Sequence, residues 1–104
     1  MIVEERIYTV QVGKVPEYLR IYEAEGLAAQ TRHLPRMVGY FSTEAGPLNQ
    51  IIHLWAYDSF EQRVERRAAM MADPEWQAYL AKIRPLIVSQ ETKLLIPAPF
   101  SPIR

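Results

Sequence analysis

Asn49-Gln50-Ile51-Ile52-His53-Leu54-Trp55-Ala56-Tyr57 is the stretch whose reading decides the fold. Its β-branched and aromatic residues mark a strand, and strand side chains alternate between the two faces of a sheet. Ile51, His53, Trp55 and Tyr57 fall on one face, and Ile52, Leu54 and Ala56 on the other. Both faces are largely apolar, so this strand is expected in the interior of a sheet with cover on both sides.

Met37 to Glu44 is a second β-rich run, and the Gly/Pro turn Ala45-Gly46-Pro47-Leu48 joins the two as a hairpin. Glu5 to Val12 alternates with Arg6, Tyr8, Val10 and Val12 on one face and Glu5, Ile7, Thr9 and Gln11 on the other, which predicts the first strand. Gly13 turns the chain, and Pro16 suits the first turn of a helix, where its missing N–H costs nothing. The helix is predicted to run to about His33 with a stripe of Val15, Tyr18, Leu19, Tyr22, Gly26 and Ala29. Glycine within that stripe costs about 1 kcal/mol against alanine, so Gly26 predicts close approach of the helix to the sheet.

Asp58-Ser59-Phe60-Glu61 reads as a capping box, an acceptor with a carboxylate three residues on, opening a helix to about Ala72. Asp73-Pro74-Glu75 restarts the helix, bent or broken, with Asp73 as N-cap and Trp76, Tyr79, Leu80 and Ile83 as its apolar face. Pro85 ends it. Leu86 to Ile96 predicts a last strand, and residues 97–104 an extended proline-rich tail with Phe100 and Ile103 docked.

The order β, α, β, β, α, β is that of the split βαβ. It predicts an α+β, ferredoxin-like domain over residues 1–104, with a four-stranded antiparallel sheet and two helices on one face. The other face then needs a cover, and a twofold-related copy is the commonest supplier. A homodimer through the sheet face is therefore expected.

Twelve Lys+Arg balance twelve Asp+Glu, so no global positive field gathers nucleic acid. The absence of cysteine excludes disulfides, thiolate nucleophiles and Cys-ligated metal centres. The charged Glu4-Glu5-Arg6 leaves no apolar signal core, and no run of about 18 apolar residues could span a bilayer. A cytoplasmic protein without a membrane span is the expectation.

Four segments together carry a family resemblance: Arg6-Ile7-Tyr8 followed by Gly13-Lys14; the hairpin from Val38-Gly39-Tyr40 to Glu44-Ala45-Gly46-Pro47-Leu48-Asn49; His53-Leu54-Trp55-Ala56-Tyr57; and Arg63 to Arg67 followed by Asp73-Pro74-Glu75-Trp76. With the proline-rich end, Pro97 to Pro102, they resemble the NIPSNAP family within the dimeric α/β barrel superfamily. The resemblance implies a ferredoxin-like protomer whose sheet packs on its twin with the helices outside. It implies no particular reaction. The mitochondrial and vesicle-related associations of larger members are not carried over to one short domain.

Candidate chemistry rests on two residues. His53 could shuttle a proton, since histidine titrates near neutrality; the competing reading is a packed histidine with one hydrogen bond. Arg67 projects between Phe60 and Met71, near the centre of the apolar stripe of its helix, with Arg63 beside it. A guanidinium aimed at the sheet must find an anion, either a ligand carboxylate or enolate, or an internal partner such as Glu5 or Glu44. An Arg stem snorkelling past the core edge is the third possibility.

Tyr8, Trp55, Tyr57, Trp76 and Tyr79 could wall a pocket for a flat apolar ligand, or simply pack the core. Tyr8, His53, Trp55, Tyr57, Arg63, Arg67 and Trp76 make up the candidate ligand-binding set. His33 could ligate a metal or haem, but a histidine in a last helical turn already interacts with the dipole. No metal site and no cofactor are expected, and no phosphate loop, nucleophile elbow or zinc-binding His pair is present.

Three functions fit. The first is a NIPSNAP-type homodimer that binds a small apolar or aromatic ligand, or a partner, without an assigned reaction. The second is a cofactor-free monooxygenase or isomerase acting on an aromatic or polyketide-like enol, with His53 as base and Arg67 holding the enolate; fold analogy alone supports it. The third is a dimerisation module with a filled core.

Overall fold

The double-sided strand, β3 (Gln50–Tyr57), lies in the interior of the sheet, as its composition requires. The computed structural model describes residues 1–104. Its four strands, β1 (Ile2–Val10), β2 (Met37–Ser42), β3 and β4 (Ile87–Leu95), form one antiparallel sheet in the order β2-β3-β1-β4. Helical segments alternate with the strands in the βαββαβ pattern. This is the ferredoxin-like fold.

Strand β1 begins at Ile2 rather than Glu5 and ends at Val10 rather than Val12. Its pairing with β3 runs from Ile2 opposite Tyr57 to Thr9 opposite Gln50, so the length of β3 sets both ends. Val12 stands outside the sheet at 86% exposure. Strand β2 stops at Ser42, so the hairpin connection spans residues 43–49, longer than the four-residue turn expected. Gly46 and Asn49 take left-handed backbone conformations within it, which these two residue types adopt most readily.

The first helical rod comprises α1 (Val15–Ile21), a π-helical turn (Tyr22–Gly26) and α2 (Leu27–His33). The Leu27 N–H donates to the Tyr22 carbonyl, five residues back, and the extra residue resets the phase of the stripe. Tyr18, Tyr22, Gly26, Ala29 and Gln30 consequently all turn inward. The close approach at Gly26 is made by another helix rather than by the sheet: a Cβ there would sit 2.8 Å from the ring of Tyr79.

The second helical unit comprises α3 (Phe60–Met71) and α4 (Pro74–Ile83), broken at Asp73-Pro74 as the sequence predicts. Asp73 caps α4 by accepting from the Glu75 N–H, and also binds Arg32 and His33 Nε2, each at 2.8 Å. His33 is thereby used as a tether between two helices. Ser59, not Asp58, is the N-cap of α3: its Oγ accepts from the Gln62 N–H while Gln62 Oε1 accepts from the Asp58 N–H. The capping pair is shifted one residue from its expected place, because an Asp and a Ser stand side by side and either could serve.

The apolar stripe of α3 is not its buried face. Phe60, Val64 and Met71 are 50%, 49% and 41% exposed, whereas Met70 is buried. Arg63, Arg67 and Met70, spaced i, i+4 and i+7, are the side chains that α3 turns inward. No helix is long and apolar enough to cross a membrane.

Ile51, His53, Trp55 and Tyr57 face the helices, and all four are buried. The opposite face of the sheet carries the cross-strand row Phe41, Ile52 and Ile7. Phe41 lies over Gly39, where a Cβ would come within 2.6 Å of its ring, and remains 57% exposed. The tail bends back so that Ile103 shares a recess with Val3, Val38, Leu54 and Leu95, covering one end of that face. Phe100 does not dock, and stays exposed.

Candidate functional site

The period-2 alternation of β1 places Glu4, Arg6 and Tyr8 on the face beneath the helices. The register sets Glu4 beside Trp55, Arg6 between His53 and Thr92, and Tyr8 between Ile51 and Gln90. Helix α3 lowers Arg63 and Arg67 onto the same patch. A buried carboxylate thus meets three guanidiniums.

Glu4 is fully buried. Its Oε2 accepts from Arg63 Nη2 at 2.6 Å, Thr92 Oγ1 at 3.1 Å and Arg6 Nη1 at 3.2 Å. Tyr57 donates to Oε1 at 3.4 Å, while Arg67 Nη1 stands off at 4.0 Å. Burial by itself would raise the Glu4 pKa, but the Arg63 hydrogen bond and the charges of Arg6, Arg67 and Arg63 outweigh it and hold the carboxyl below its usual range. Glu4 is therefore ionised, and one negative charge stands against three positive ones.

That imbalance falls on Arg67. Arg63 is committed to Glu4, and Arg6 is held by Glu4, Thr92 and the Tyr8 hydroxyl, to which its Nε donates at 3.0 Å. The Arg67 guanidinium makes no hydrogen bond within the chain and is 23% exposed. Burial lowers its pKa, and the neighbouring Arg6 charge lowers it further, as expected for a cation short of anions.

Arg67 opens onto a cavity of about 390 Å³ between sheet and helices. Arg6 and Arg84 supply further positive charge at its wall; Met70, Trp76, Leu80 and Ile87 supply apolar surface; Gln30 and Gln90 supply amides. The volume lies within the roughly 300–1,000 Å³ of small-molecule sites.

His53 belongs to an adjoining void of about 20 Å³, which shares Tyr8, Gln30, Trp76, Leu80, Ile87 and Gln90 with the larger cavity. Its ring stacks on Tyr40 with centroids 4.6 Å apart and meets the edge of Tyr8 at 4.9 Å. The Trp55 indole N–H donates to His53 Nδ1 at 2.6 Å. Indole only donates, so Nδ1 is unprotonated and the proton of the neutral ring sits on Nε2. Burial, reinforced by the Arg6 charge, depresses the His53 pKa to about 3, so the ring is neutral at physiological pH.

The candidate residues therefore separate. Arg67, Tyr8 and Trp76 line the cavity, and His53 lines only the void behind it. Trp55 and Tyr57 lie in the core, where they support His53 and Glu4 respectively. Arg63 is spent on Glu4. The internal anion near Arg67 is Glu4, not Glu5 or Glu44: Glu5 pairs across from Leu54 on the opposite face, and Glu44 sits in the hairpin loop. A first strand begun at Glu5 left Glu4 outside the alternation. Extending the period-2 pattern two residues upstream of Arg6 is the signal that finds it.

A family model described as NIPSNAP matches residues 3–102. A NipSnap homolog from Dictyostelium discoideum is 37% identical over 94 residues, covering 90% of this chain and 41% of that protein. The chain spans about two fifths of the length of the curated relatives it matches, 39–41% for the first three. A NIPSNAP family protein with unknown function from Agrobacterium tumefaciens superimposes with a TM-score of 0.98 at 48% identity, covering 100% of this chain and 94% of that one. A putative antibiotic biosynthesis monooxygenase from Nitrosomonas europaea matches with a TM-score of 0.67 at 11% identity over 93% of this chain and 98% of that one, a likeness of fold alone.

Proposed function

The chain belongs to the NIPSNAP family, and on that premise we propose that it acts as a homodimer binding a small ligand, with an apolar body and an anionic group, between its sheet and helices. One observation carries the ligand: Arg67, a partly buried cation with no hydrogen bond in the chain, faces a cavity that Arg6 and Arg84 also make positive. A guanidinium presents a planar fork of donors suited to a carboxylate or enolate, and Trp76, Met70 and Leu80 offer surface for the ligand body.

A panel of aromatic carboxylates, each paired with its neutral amide, tests this by calorimetry. Acids bind and amides do not, and Arg67→Gln weakens the acids at least about tenfold, the loss of one charge-assisted hydrogen bond. Equal binding of acid and amide, or an unaffected Arg67→Gln variant, overturns the proposal.

The dimer rests on the row Phe41, Ile52 and Ile7, apolar side chains on the face that no helix covers. Light scattering at micromolar concentration gives twice the chain mass, and Phe41→Glu shifts the particle to the monomer. A wild-type monomer at that concentration removes the sheet-to-sheet pairing. Cytosolic residence is part of the same proposal, supported by the cysteine-free composition.

The geometry favours this reading over enol chemistry with His53 as base. That role needs an accessible lone pair, whereas Nδ1 is occupied by Trp55 and Nε2 carries the proton.

A further inference from the structure

Two residues that wall the small void each carry a buried N–H group without a partner: His53 Nε2–H and Trp76 Nε1–H. His53 is 1% exposed and Trp76 is 5% exposed, so neither is satisfied by bulk water. An unpaired buried donor has lost its hydration without gaining a partner, and two on residues beside one void call for an explanation.

The placement of His53 is tightly constrained. Tyr40 covers one face of the ring, Tyr8 stands edge-on to it, and Trp55 occupies the Nδ1 edge without reaching the void. The edge left for the void carries Nε2. The tautomer is dictated by Trp55, so this nitrogen is a donor and cannot accept.

Among the other wall residues, the Tyr18 and Tyr40 hydroxyls pair with each other at 3.2 Å, and the Tyr22 hydroxyl donates to Gln30 Oε1 at 2.6 Å. A space of about 20 Å³ admits a group the size of a single oxygen atom. The void also shares six wall residues with the larger cavity, so a molecule seated there could reach it.

We propose that His53 Nε2–H and Trp76 Nε1–H form an acceptor subsite that recognises a carbonyl or enolate oxygen on the ligand whose anionic group lies at Arg67. The ligand class is then narrower than an apolar anion: it is an oxo acid, or its enol, with a flat apolar body. This rests on the ligand-binding reading above. His53 serves as a binding donor and transfers no proton.

The test uses matched pairs of acids that differ only in the ketone: phenylpyruvate with hydrocinnamate, benzoylpropionate with phenylbutyrate, and benzoylbutyrate with phenylvalerate. Calorimetry gives the affinity ratio within each pair. At least one oxo acid binds the wild-type protein about tenfold tighter than its deoxo partner, the scale of a buried hydrogen bond. The ratio falls toward one in His53→Phe and in Trp76→Phe, while Arg67→Gln weakens both members and preserves the ratio.

Nitrogen-edited proton NMR of the wild-type protein supplies a readout that needs no folded variant. The His53 Nε2–H resonance moves downfield with the oxo acid and stays in place with its partner. Acids that bind with ratios near one in every pair overturn the subsite alone and leave a water-sized space as its explanation. A ratio that persists in both variants, or an unmoved Nε2–H resonance, overturns it equally. Failure of every acid to bind overturns the cavity reading and the subsite together.

Discussion

Replacing Glu4 with glutamine lowers the unfolding free energy by about 3–5 kcal/mol, read from urea denaturation at neutral pH. The substitution nearly preserves shape, so the loss is not one of packing. It removes the only carboxylate within a salt-bridge distance of Arg6, Arg63 and Arg67. Three guanidiniums then share a half-buried patch without an anion, and the new amide N–H₂ adds a donor where every neighbour already donates.

Removing one member of a buried ionic cluster costs more than the cluster contributes, because the charges left behind remain desolvated. Coupling is therefore expected. Glu4→Gln combined with Arg63→Met is less destabilised than the sum of the two single variants, since the second change relieves a repulsion created by the first. A loss below about 1 kcal/mol for Glu4→Gln, the scale of an exposed pair, would show that water reaches the cluster freely.

The second large effect is acid sensitivity set by His53. Its pKa is depressed from 6.5 to about 3 on folding, chiefly by burial and then by the Arg6 charge, so below neutrality the unfolded chain binds a proton that the folded chain does not. Stability contributed by the neutral ring is complete above the unfolded pKa and is lost as pH falls from there toward the folded value. Across the middle of that window the slope approaches 1.4 kcal/mol per pH unit, for a total of about 4–5 kcal/mol.

The groups around the ring are Arg6 and Tyr8 from β1, Tyr40 from β2, Trp55 from β3, Arg67 from α3, Tyr18 and Tyr22 from the first helical rod and Tyr79 from α4. None of them is a carboxylate. The Glu4 charge acts on His53 in the opposite direction and is outweighed. The lowered pKa of Glu4 adds acid sensitivity of the same sign, but only below the ordinary carboxyl value of 4.5.

Denaturation series between about pH 6.5 and pH 4.5, the span between the ordinary histidine and carboxyl values, therefore separate His53 from Glu4. His53→Phe flattens the pH dependence there, whatever its absolute stability. Equal slopes in variant and wild type would show that the ring is not neutral by burial.

The strand that names the fold was legible because its signal is local. Ile51 to Tyr57 is apolar on both faces, and that alone demands an interior position and cover on both sides. The break at Asp73-Pro74 was legible for the same reason, since a capping side chain and a proline ring act within their own turn. The inward face of α3 was not. Counting apolar residues on that helix points to Phe60 and Met71, yet the inward line is Arg63, Arg67 and Met70. That line meets the Glu4 carboxylate on β1, and helical periodicity carries no record of it.

Arg67 was visible in the sequence as a cation in need of an anion, and the structure decided which one it meets and how loosely. Glu4 comes to 4.0 Å and no closer, because Arg63 and Arg6 hold its other oxygen. His53 and Arg67 looked like partners, but the fold assigns them to adjoining spaces.

By itself the sequence determined the order of elements, the interior strand and the helix break, because propensity, capping and alternation act over a few neighbouring residues. The tertiary structure alone decided that Glu4 neutralises only part of an arginine cluster, that Trp55 sets the tautomer of His53, and that a cavity remains beside Arg67. These depend on side chains brought together from β1, β3, β4 and α3, whose distances are a property of the packed chain and not of any stretch of it.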